Sequence, residues 1–230
     1  MKIAYQGIPG SYSESCAKKM YPGCKTIPCK TFDECFEKSS QDTTVRSIIP
    51  ESNKTTGNIG VEYLIFKYRL NIYAEHFFPI KHNLLGIKGS NLKDIKNVYS
   101  HAQALSQSSK FIKQNNLNEN VRADTAGSAK YILDTNDKTK AAIASELSAD
   151  IYNLEILKQN IQDEKNNFTR FLLMGKEIYQ PELKNENYIT SFLFKLKSKP
   201  AALYSALSGF AINGVNMTKL QSFPEKNSFS

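Results

Sequence analysis

The 230-residue chain has no hydrophobic run long enough to cross a membrane. A membrane-spanning helix needs about 20 consecutive apolar residues. The N-terminal residues MKIAYQG carry one lysine and lead into a strand-like run, without the long apolar segment of a signal peptide. We therefore expect a cytoplasmic protein with no membrane partner.

Arginine is also scarce, although the formal net charge is +8. The lysines are spread along the whole chain, whereas surfaces that clamp phosphates and read bases usually favour arginine and cluster their charge. The arginines are Arg46, Arg69, Arg122 and Arg170. This distribution argues against a nucleic-acid partner. An anionic small substrate is compatible with the charge but is not implied by it.

Cysteine is limited to four residues near the N-terminus, namely Cys16, Cys24, Cys29 and Cys35. No two of them form a C-x-x-C pair, and no histidine lies between them, so the spacing does not favour a zinc site. Reduced cysteines that act as small apolar residues are the better interpretation. With 40% hydrophobic residues, the chain has enough apolar side chains for a real core.

What the sequence does contain is an alternation of strands and helices. The run 3–5 predicts a strand, and the turn 7–10 follows it. Ser11 then begins a helix with Glu14 three residues later, which is the capping-box spacing, and Thr31 with Glu34 repeats it. Further strands are predicted at 47–49, stopped by Pro50, and at 98–99, 141–144 and 171–174. Helices are predicted from Gly57, with apolar residues at 59, 63, 66 and 70, from about residue 102, and after 124–125.

Strands followed by helices through short polar turns predict an α/β fold with largely parallel sheets. Ligands in such folds lie at the carboxyl ends of strands, beside helix N-termini. Four strand-to-helix turns are rich in small polar residues or glycine, at 7–13, 50–57, 100–103 and 125–128. We expect them to lie along one cleft that binds a small anion.

The pattern changes after residue 179. QPELKNEN, residues 180–187, is typical of a linker. Beyond it we predict a strand at 191–196, a helix opened by Pro200 with Leu203, Leu207 and Phe210 facing inward, a cap at 213–214 and a strand at 215–220. One β-α-β unit of some 35–40 residues is too small to close a core alone.

The stretch NNFTRF, residues 166–171, stands directly before an apolar run. In a strand, Thr169 and Phe171 share one face and Arg170 takes the other. We expect the first two to face the cleft and Arg170 to pair with a carboxylate of the scaffold.

Several segments together resemble the bacterial prephenate dehydratase family. They are IAYQGIPGSYSE (3–14), IIPESNKTTGNI (48–59), EHFFPIKHNLLG (75–86), SHAQALSQ (100–107), DTAGSAK (124–130), AAIAS (141–145) and NNFTRF. TSFLF (190–194) and GVNMTKLQSFP (214–224) resemble the start of an ACT regulatory domain. No single motif is specific, but their order and spacing are.

The resemblance implies a two-lobed, periplasmic-binding-protein-like catalytic region with its active site in the cleft between the lobes. It divides the chain into a catalytic domain at 1–178, a linker at 179–187 and a partial ACT domain, a ferredoxin-like βαβ unit, at 188–230. The family converts prephenate to phenylpyruvate in phenylalanine biosynthesis, without a metal or an organic cofactor. The resemblance also implies that L-phenylalanine is an effector and that the protein forms a homodimer or a higher homo-oligomer.

The matching motifs carry the family's roles onto this chain. The residues expected to be catalytic are Thr169, Asn53 and Gln103. The residues expected to bind substrate are Ser100, Thr125, Ser128, Ala129, Phe171 and Lys54. The regulatory positions are Ala202, Leu203, Asn216 and Gln221. Because a threonine hydroxyl is a very weak acid, we interpret Thr169 as a placed hydrogen-bond donor to the departing hydroxyl.

The chain departs from the family pattern at several of these positions. The family's Glu-Asn-Ser motif is replaced by Ser52-Asn53-Lys54, which puts a long cation where a small hydroxyl normally lies. Residues 200–203 lack the glycine of the ACT Gly-Ala-Leu motif, and residues 221–224 replace Glu-Ser-Arg-Pro, which weakens the case for control by phenylalanine. Two alternatives to an active prephenate dehydratase therefore stay open: a non-catalytic ligand-binding remnant of the family, and an arogenate dehydratase.

Overall fold

The computed structural model of the chain describes residues 1–178, 180–182, 188–192 and 194–222. It divides into two compact units, Met1–Pro181 and Glu182–Ser230, which are described separately. The predicted linker and the end of the predicted ACT unit, 223–230, lie partly or wholly outside the described residues.

The first lobe of the large unit is built on one sheet. Its elements are β1 Lys2–Gln6, α1 Tyr12–Met20, β2 Lys25–Cys29, α2 Phe32–Gln41, β3 Val45–Asn53, β4 Gly57–Asn58, α3 Glu62–Tyr68, β5 Asn71–Pro79 and, returning from the second lobe, β11 Phe168–Gly175. The strand order is β2-β1-β3-β11-β5, with β4 paired to β3. Strand β1 is parallel to β2 and β3, whereas β11 is antiparallel to β3 and β5.

The second lobe repeats this plan with a sheet of its own. Its elements are β6 Asn83–Gly86, a 3₁₀ turn Leu92–Asp94, β7 Asn97–Ser100, α4 Ala102–Ser106, α5 Ser109–Gln114, β8 Asn118–Val121, α6 Thr125–Thr135, β9 Lys140–Ala144, α7 Glu146–Ile151 and β10 Glu155–Lys158. The order is β10-β6-β9-β7-β8. Strand β7 is parallel to β8 and β9, whereas β6 is antiparallel to both of its neighbours, β9 and β10. The two-lobed α/β fold is confirmed, but both sheets are mixed rather than largely parallel.

Helix starts follow the predicted capping residues. Ser11 Oγ accepts from Glu14 N–H at 3.3 Å, and Thr31 Oγ1 accepts from Glu34 N–H at 3.1 Å. Asp124 caps α6 by accepting from Gly127 N–H. These contacts depend on residues within one turn of one another, so the local sequence is sufficient to predict them.

Two apolar clusters build the core of each lobe. Cys16, Cys29 and Cys35 are buried among these side chains, and the four cysteines are unpaired, as predicted. Burial raises the pKa of the Cys16 thiol to about 12, so this group stays protonated at neutral pH.

Two predicted boundaries in the first lobe are wrong. Pro50 does not stop a strand, because β3 continues to Asn53. The pairing of β3 with β11 shifts register here, since Phe171 lies opposite Pro50 and Arg170 opposite Ser52. Proline is tolerated at such a bulge. The helix predicted from Gly57 begins only at Glu62, because Gly57 and Gly60 take φ values of +81° and +80°.

The small unit contains one helix, α8 Ala202–Ile212, among its described residues. The strand predicted at 191–196 does not form at its described positions, with Leu193 outside them, and the strand predicted at 215–220 does not form either. Phe210 stacks on Phe192 with ring centroids 5.3 Å apart, yet no residue of α8 is buried. A unit this small lacks the partner strands that would satisfy an extended backbone.

None of the helices in the described ranges is long and apolar enough to span a bilayer.

Candidate active site

The candidate site is the crevice where strand ends of the two lobes meet. Ser145 Oγ and Ser148 Oγ of the second lobe donate to Gly10 O of the first, at 2.6 and 2.8 Å. Gly10 has a φ of +93°, and a Cβ there would lie 2.6 Å from Ser148 Oγ. The predicted turn 7–13 therefore lies at the crevice, packed against the start of α7. The turn that leads into α7 was not predicted to be part of the cleft.

A second bridge joins the predicted turns 50–57 and 100–103. Gln103 Nε2, on α4, donates to Thr56 Oγ1 at 2.9 Å. Gln107, one helical turn further, donates to Thr55 Oγ1 at 2.5 Å. Two glutamines of the second lobe thus reach the loop after β3, which brings Gln103 close to Asn53 in the fold.

Thr169 and Asn53 lie opposite each other on β11 and β3. Asn53 Nδ2 donates to Thr169 Oγ1 and to Asn167 Oδ1, both at 2.9 Å. Asn53 Oδ1 accepts from the backbone N–H groups of Thr55 and Thr56, at 3.0 and 3.2 Å. These N–H groups fix which end of the Asn53 amide faces Thr169.

This orientation decides what the Thr169 hydroxyl can do. Its oxygen accepts a hydrogen bond from Asn53, so its own proton is left for another acceptor. Thr169 and Asn53 are each only 7% exposed, and in such surroundings a directed donor acts more strongly than in water. The arrangement suits hydrogen-bond donation to a group that gains negative charge.

Further polar side chains extend the site, and no role was predicted for them. Asn167 Nδ2 and His82 Nε2 both meet Gln107 Oε1, at 3.2 and 2.9 Å. His82 Nδ1 lies 2.7 Å from Tyr12 Oη. Burial lowers the pKa of His82, which favours the neutral imidazole, and raises the pKa of the Tyr12 phenol. Only the inclusion of these residues in family-like segments pointed to them.

Other predicted substrate-binding residues are placed in the body of the second lobe. Ser100 Oγ is fully buried and donates to Ile143 O at 2.6 Å, and Ser128 Oγ donates to Asp124 O at 2.7 Å. Ala129 is fully buried in the apolar core, while Thr125 is half-buried at the start of α6. A side-chain contact with a ligand is therefore open to Thr125, but the other three are occupied within the lobe.

Phe171 does not face the crevice, so the prediction that it contacts substrate is wrong. Its side chain is 1% exposed and packs edge-to-face on Phe78, with ring centroids 6.2 Å apart. Phe171 and Thr169 share one face of β11. At Phe171, however, that face is covered by the apolar cluster that includes residues of α1.

Arg170 takes the other face and pairs with scaffold carboxylates, as predicted. Its Nε and Nη2 lie 2.7 Å from Glu75 Oε2, and its Nη1 lies 3.2 Å from Glu51 Oε2. Lys54 lines a cavity of about 430 Å³ on this side, together with Phe168 and Arg170. Phe168 and Arg170 alternate with Thr169 along β11, so their side chains take the opposite face of the sheet. Asn53, the partner of Thr169, also lines this cavity.

The predicted regulatory positions belong to the small unit. Ala202 and Leu203 lie in the first turn of α8, and Leu203 is 48% exposed. Asn216 and Gln221 are exposed in the segment after the helix.

Comparisons with known proteins bear on this site. The family model described as prephenate dehydratase matches residues 3–179. Arogenate dehydratase 2 of Petunia hybrida is 40% identical over 225 residues, which cover 97% of this chain and 57% of that protein. A bifunctional N-acyl-homoserine lactone acylase/prephenate dehydratase of Komagataeibacter europaeus is 35% identical over 99% of this chain and 82% of its own length.

Among solved structures, one described as GqqA, a novel type of quorum quenching acylase, matches with a TM-score of 0.85 and 32% identity. The match covers 100% of this chain and 84% of that one. The chain spans less than three fifths of the length of the plant relative named above.

Proposed function

Because the chain belongs to the prephenate dehydratase family, we propose that it converts prephenate to phenylpyruvate in L-phenylalanine biosynthesis, as a carbon–oxygen lyase. The observation that carries the proposal is the Thr169 hydroxyl, which accepts from Asn53 and keeps its proton available at the crevice between the lobes.

In this reaction the ring carboxylate leaves as carbon dioxide, and the electrons of the broken C–C bond enter the ring as the C–O bond to the hydroxyl breaks. The departing hydroxide takes a proton, supplied in the end by solvent, and becomes water. Thr169 donates a hydrogen bond to the oxygen as its charge develops, while Asn53 holds the hydroxyl in place. Preorganised donors of this kind contribute about 10²–10³ in rate.

The substrate's two carboxylates need donors on the crevice walls. We propose Gln103, predicted as catalytic, and Thr125, predicted to bind substrate, for this role, because both are only partly buried. Arg170 is not assigned to the substrate, because its guanidinium is bound to two glutamates.

The test compares wild type with Thr169→Val and Thr169→Ser in a phenylpyruvate assay on purified protein. Valine keeps the shape without the donor, and we expect kcat/KM to fall by about 100-fold or more. Serine keeps the hydroxyl and should retain most of the activity. Equal rates for wild type and Thr169→Val would disprove the role of the hydroxyl. Absent turnover in wild type would support the non-catalytic remnant, with calorimetry then reporting prephenate binding without chemistry.

Arogenate dehydratase activity is the second candidate function. It is the same elimination, catalysed on an aminated substrate. The petunia relative named arogenate dehydratase, at 40% identity, favours it. The two values of kcat/KM, measured side by side on the same preparation, decide between the substrates.

We also propose the finer expectations of the resemblance. The protein is bacterial and cytoplasmic, and it forms a homodimer or a higher homo-oligomer. Its C-terminal unit derives from an ACT domain, and L-phenylalanine is its effector. Leu203, Asn216 and Gln221 of this unit are exposed. Repeating the assay with added phenylalanine tests the control, and light scattering after gel filtration tests the assembly.

A further inference from the structure

A continuous path of hydrogen bonds runs from α1 to the crevice. Tyr12 Oη lies 2.7 Å from His82 Nδ1, and His82 Nε2 lies 2.9 Å from Gln107 Oε1. The same oxygen accepts from Asn167 Nδ2 at 3.2 Å, and Asn167 Oδ1 accepts from Asn53 Nδ2 at 2.9 Å. Since Asn53 donates on to Thr169, the path ends at the proposed donor.

The direction of each bond follows from its neighbours. Thr55 Oγ1 lies 2.6 Å from Asn53 Oδ1, an atom that only accepts, so Thr55 uses its own proton there. Gln107 must therefore present its Nε2 to Thr55 and its Oε1 to His82. His82 Nε2 is then the donor, and the neutral ring accepts at Nδ1 from Tyr12 at 2.7 Å. Lys81 O lies 3.0 Å from the same hydroxyl and is the longer of its two acceptors.

His82 lies where the chain crosses between the lobes. It follows β5 and precedes β6, and its own backbone N–H donates to Gln162 Oε1 on the return crossover, at 2.9 Å. His82 is 2% exposed, and its ring is hydrogen-bonded to Tyr12 and Gln107 rather than to Thr169 or Asn53. Any effect of His82 on the reaction must therefore pass through Gln107 and Asn167.

We propose that His82 is a positioning residue for the dehydration: its Nε2–H, through Gln107 and Asn167, holds the Asn53 amide in the orientation that leaves the Thr169 proton for the leaving group. The proposal rests on the function proposed above. It assigns to this histidine the placement of a donor, not contact with the substrate.

The chain contains a matched control for this histidine. Tyr21, at the other end of α1, bonds His76 Nε2 at 2.6 Å, with ring centroids 5.3 Å apart and planes at 72°. The corresponding centroid distance and angle for Tyr12 and His82 are 5.5 Å and 70°. Both pairs connect α1 to the β5 region, but the His76 ring is hydrogen-bonded to Tyr21 and not to Gln107 or Asn53.

The experiment compares His82→Phe, His82→Gln and His76→Phe for kcat, KM and melting temperature. Phenylalanine removes the donor. We expect kcat to fall about 10- to 100-fold because the Thr169 hydroxyl is then misplaced, while KM changes by less than about threefold. Glutamine carries a donor near the position of Nε2 and should restore most of kcat. His76→Phe should lower the melting temperature similarly while kcat stays near wild type.

An amide spectrum tests the proposal apart from turnover. In two-dimensional NMR, we expect the side-chain amide signals of Asn53 and Asn167 to move in His82→Phe, but not in His76→Phe or His82→Gln. Failure of wild type to turn over prephenate or arogenate would reject the proposed function, while the spectra would still judge the positioning. Unmoved Asn53 signals in His82→Phe, or equal losses of kcat in the two phenylalanine variants, would overturn the proposal.

Discussion

A single residue's environment changes over two positions of a strand, as β11 illustrates. Thr169 and Phe171 share a face and both are buried. Thr169 lies beside the amides of Asn53 and Asn167, whereas Phe171 lies against Phe78 in the core. The alternation of a strand specifies the face, but the covering element specifies what that face meets.

Lys54 is a second case at the residue scale, because it replaces a small hydroxyl of the family motif. It is exposed and lines the cavity on the Arg170 side of the sheet. We expect Lys54→Ser to change kcat/KM by less than about threefold, since Lys54 is exposed and a solvated surface cation contributes little to its neighbours. The phenylpyruvate assay measures this, with Lys165→Ser, an exposed lysine elsewhere, as the control. A large gain would instead indicate that Lys54 obstructs the site, and a large loss that it binds substrate.

Among the elements, α1 connects local sequence to the crevice. Glu14 caps its start by accepting from Gly10 N–H at 2.7 Å and from Thr26 Oγ1 at 2.9 Å, and Lys18 lies 3.0 Å away. Burial opposes ionisation of Glu14, but these three partners outweigh it and lower its pKa. The helix end that positions Gly10 against α7 is therefore stabilised by an ionised carboxylate.

This linkage predicts a pH dependence. The folded pKa of Glu14 lies below the unfolded value of about 4.3, so its stabilising effect is complete above that pH and is lost as the pH falls towards the folded pKa. We expect Glu14→Gln to lower the melting temperature at pH 7, and the difference from wild type to shrink in acid. Thermal unfolding monitored by circular dichroism measures it, with the exposed Glu164→Gln as the control. A difference that is constant with pH would contradict the assignment.

At the scale of the whole molecule, the large unit contains both sheets and all four apolar clusters. The small unit has one helix without a buried residue among its described positions. The edge strand predicted at 215–220, which would have needed a partner chain, is not formed there.

We therefore expect a chain ending at Pro181 to fold and turn over substrate as the full chain does. Its melting temperature should lie within about 3 °C of wild type, which corresponds to roughly 1 kcal/mol for a domain of this size. Calorimetry and the phenylpyruvate assay on both chains measure this. A large loss of either property would show that the small unit supports the catalytic lobes.

The sequence alone was sufficient for features that depend on near neighbours. These are the caps at Ser11 and Thr31, the helix after 124–125, the unpaired cysteines and the alternation of strands and helices that builds two lobes. The order of the family motifs in the sequence also points to Thr169, Asn53 and Gln103.

Only the tertiary structure decided the features that need a distant partner. The bulge at Pro50 exists because β11 pairs with β3. At their described residues, the strands predicted at 191–196 and 215–220 do not form, because an extended backbone requires a neighbouring strand. The path from Tyr12 through His82 and Gln107 was not predicted, because these residues are far apart in the chain and directed hydrogen bonds between side chains form only after the lobes have packed.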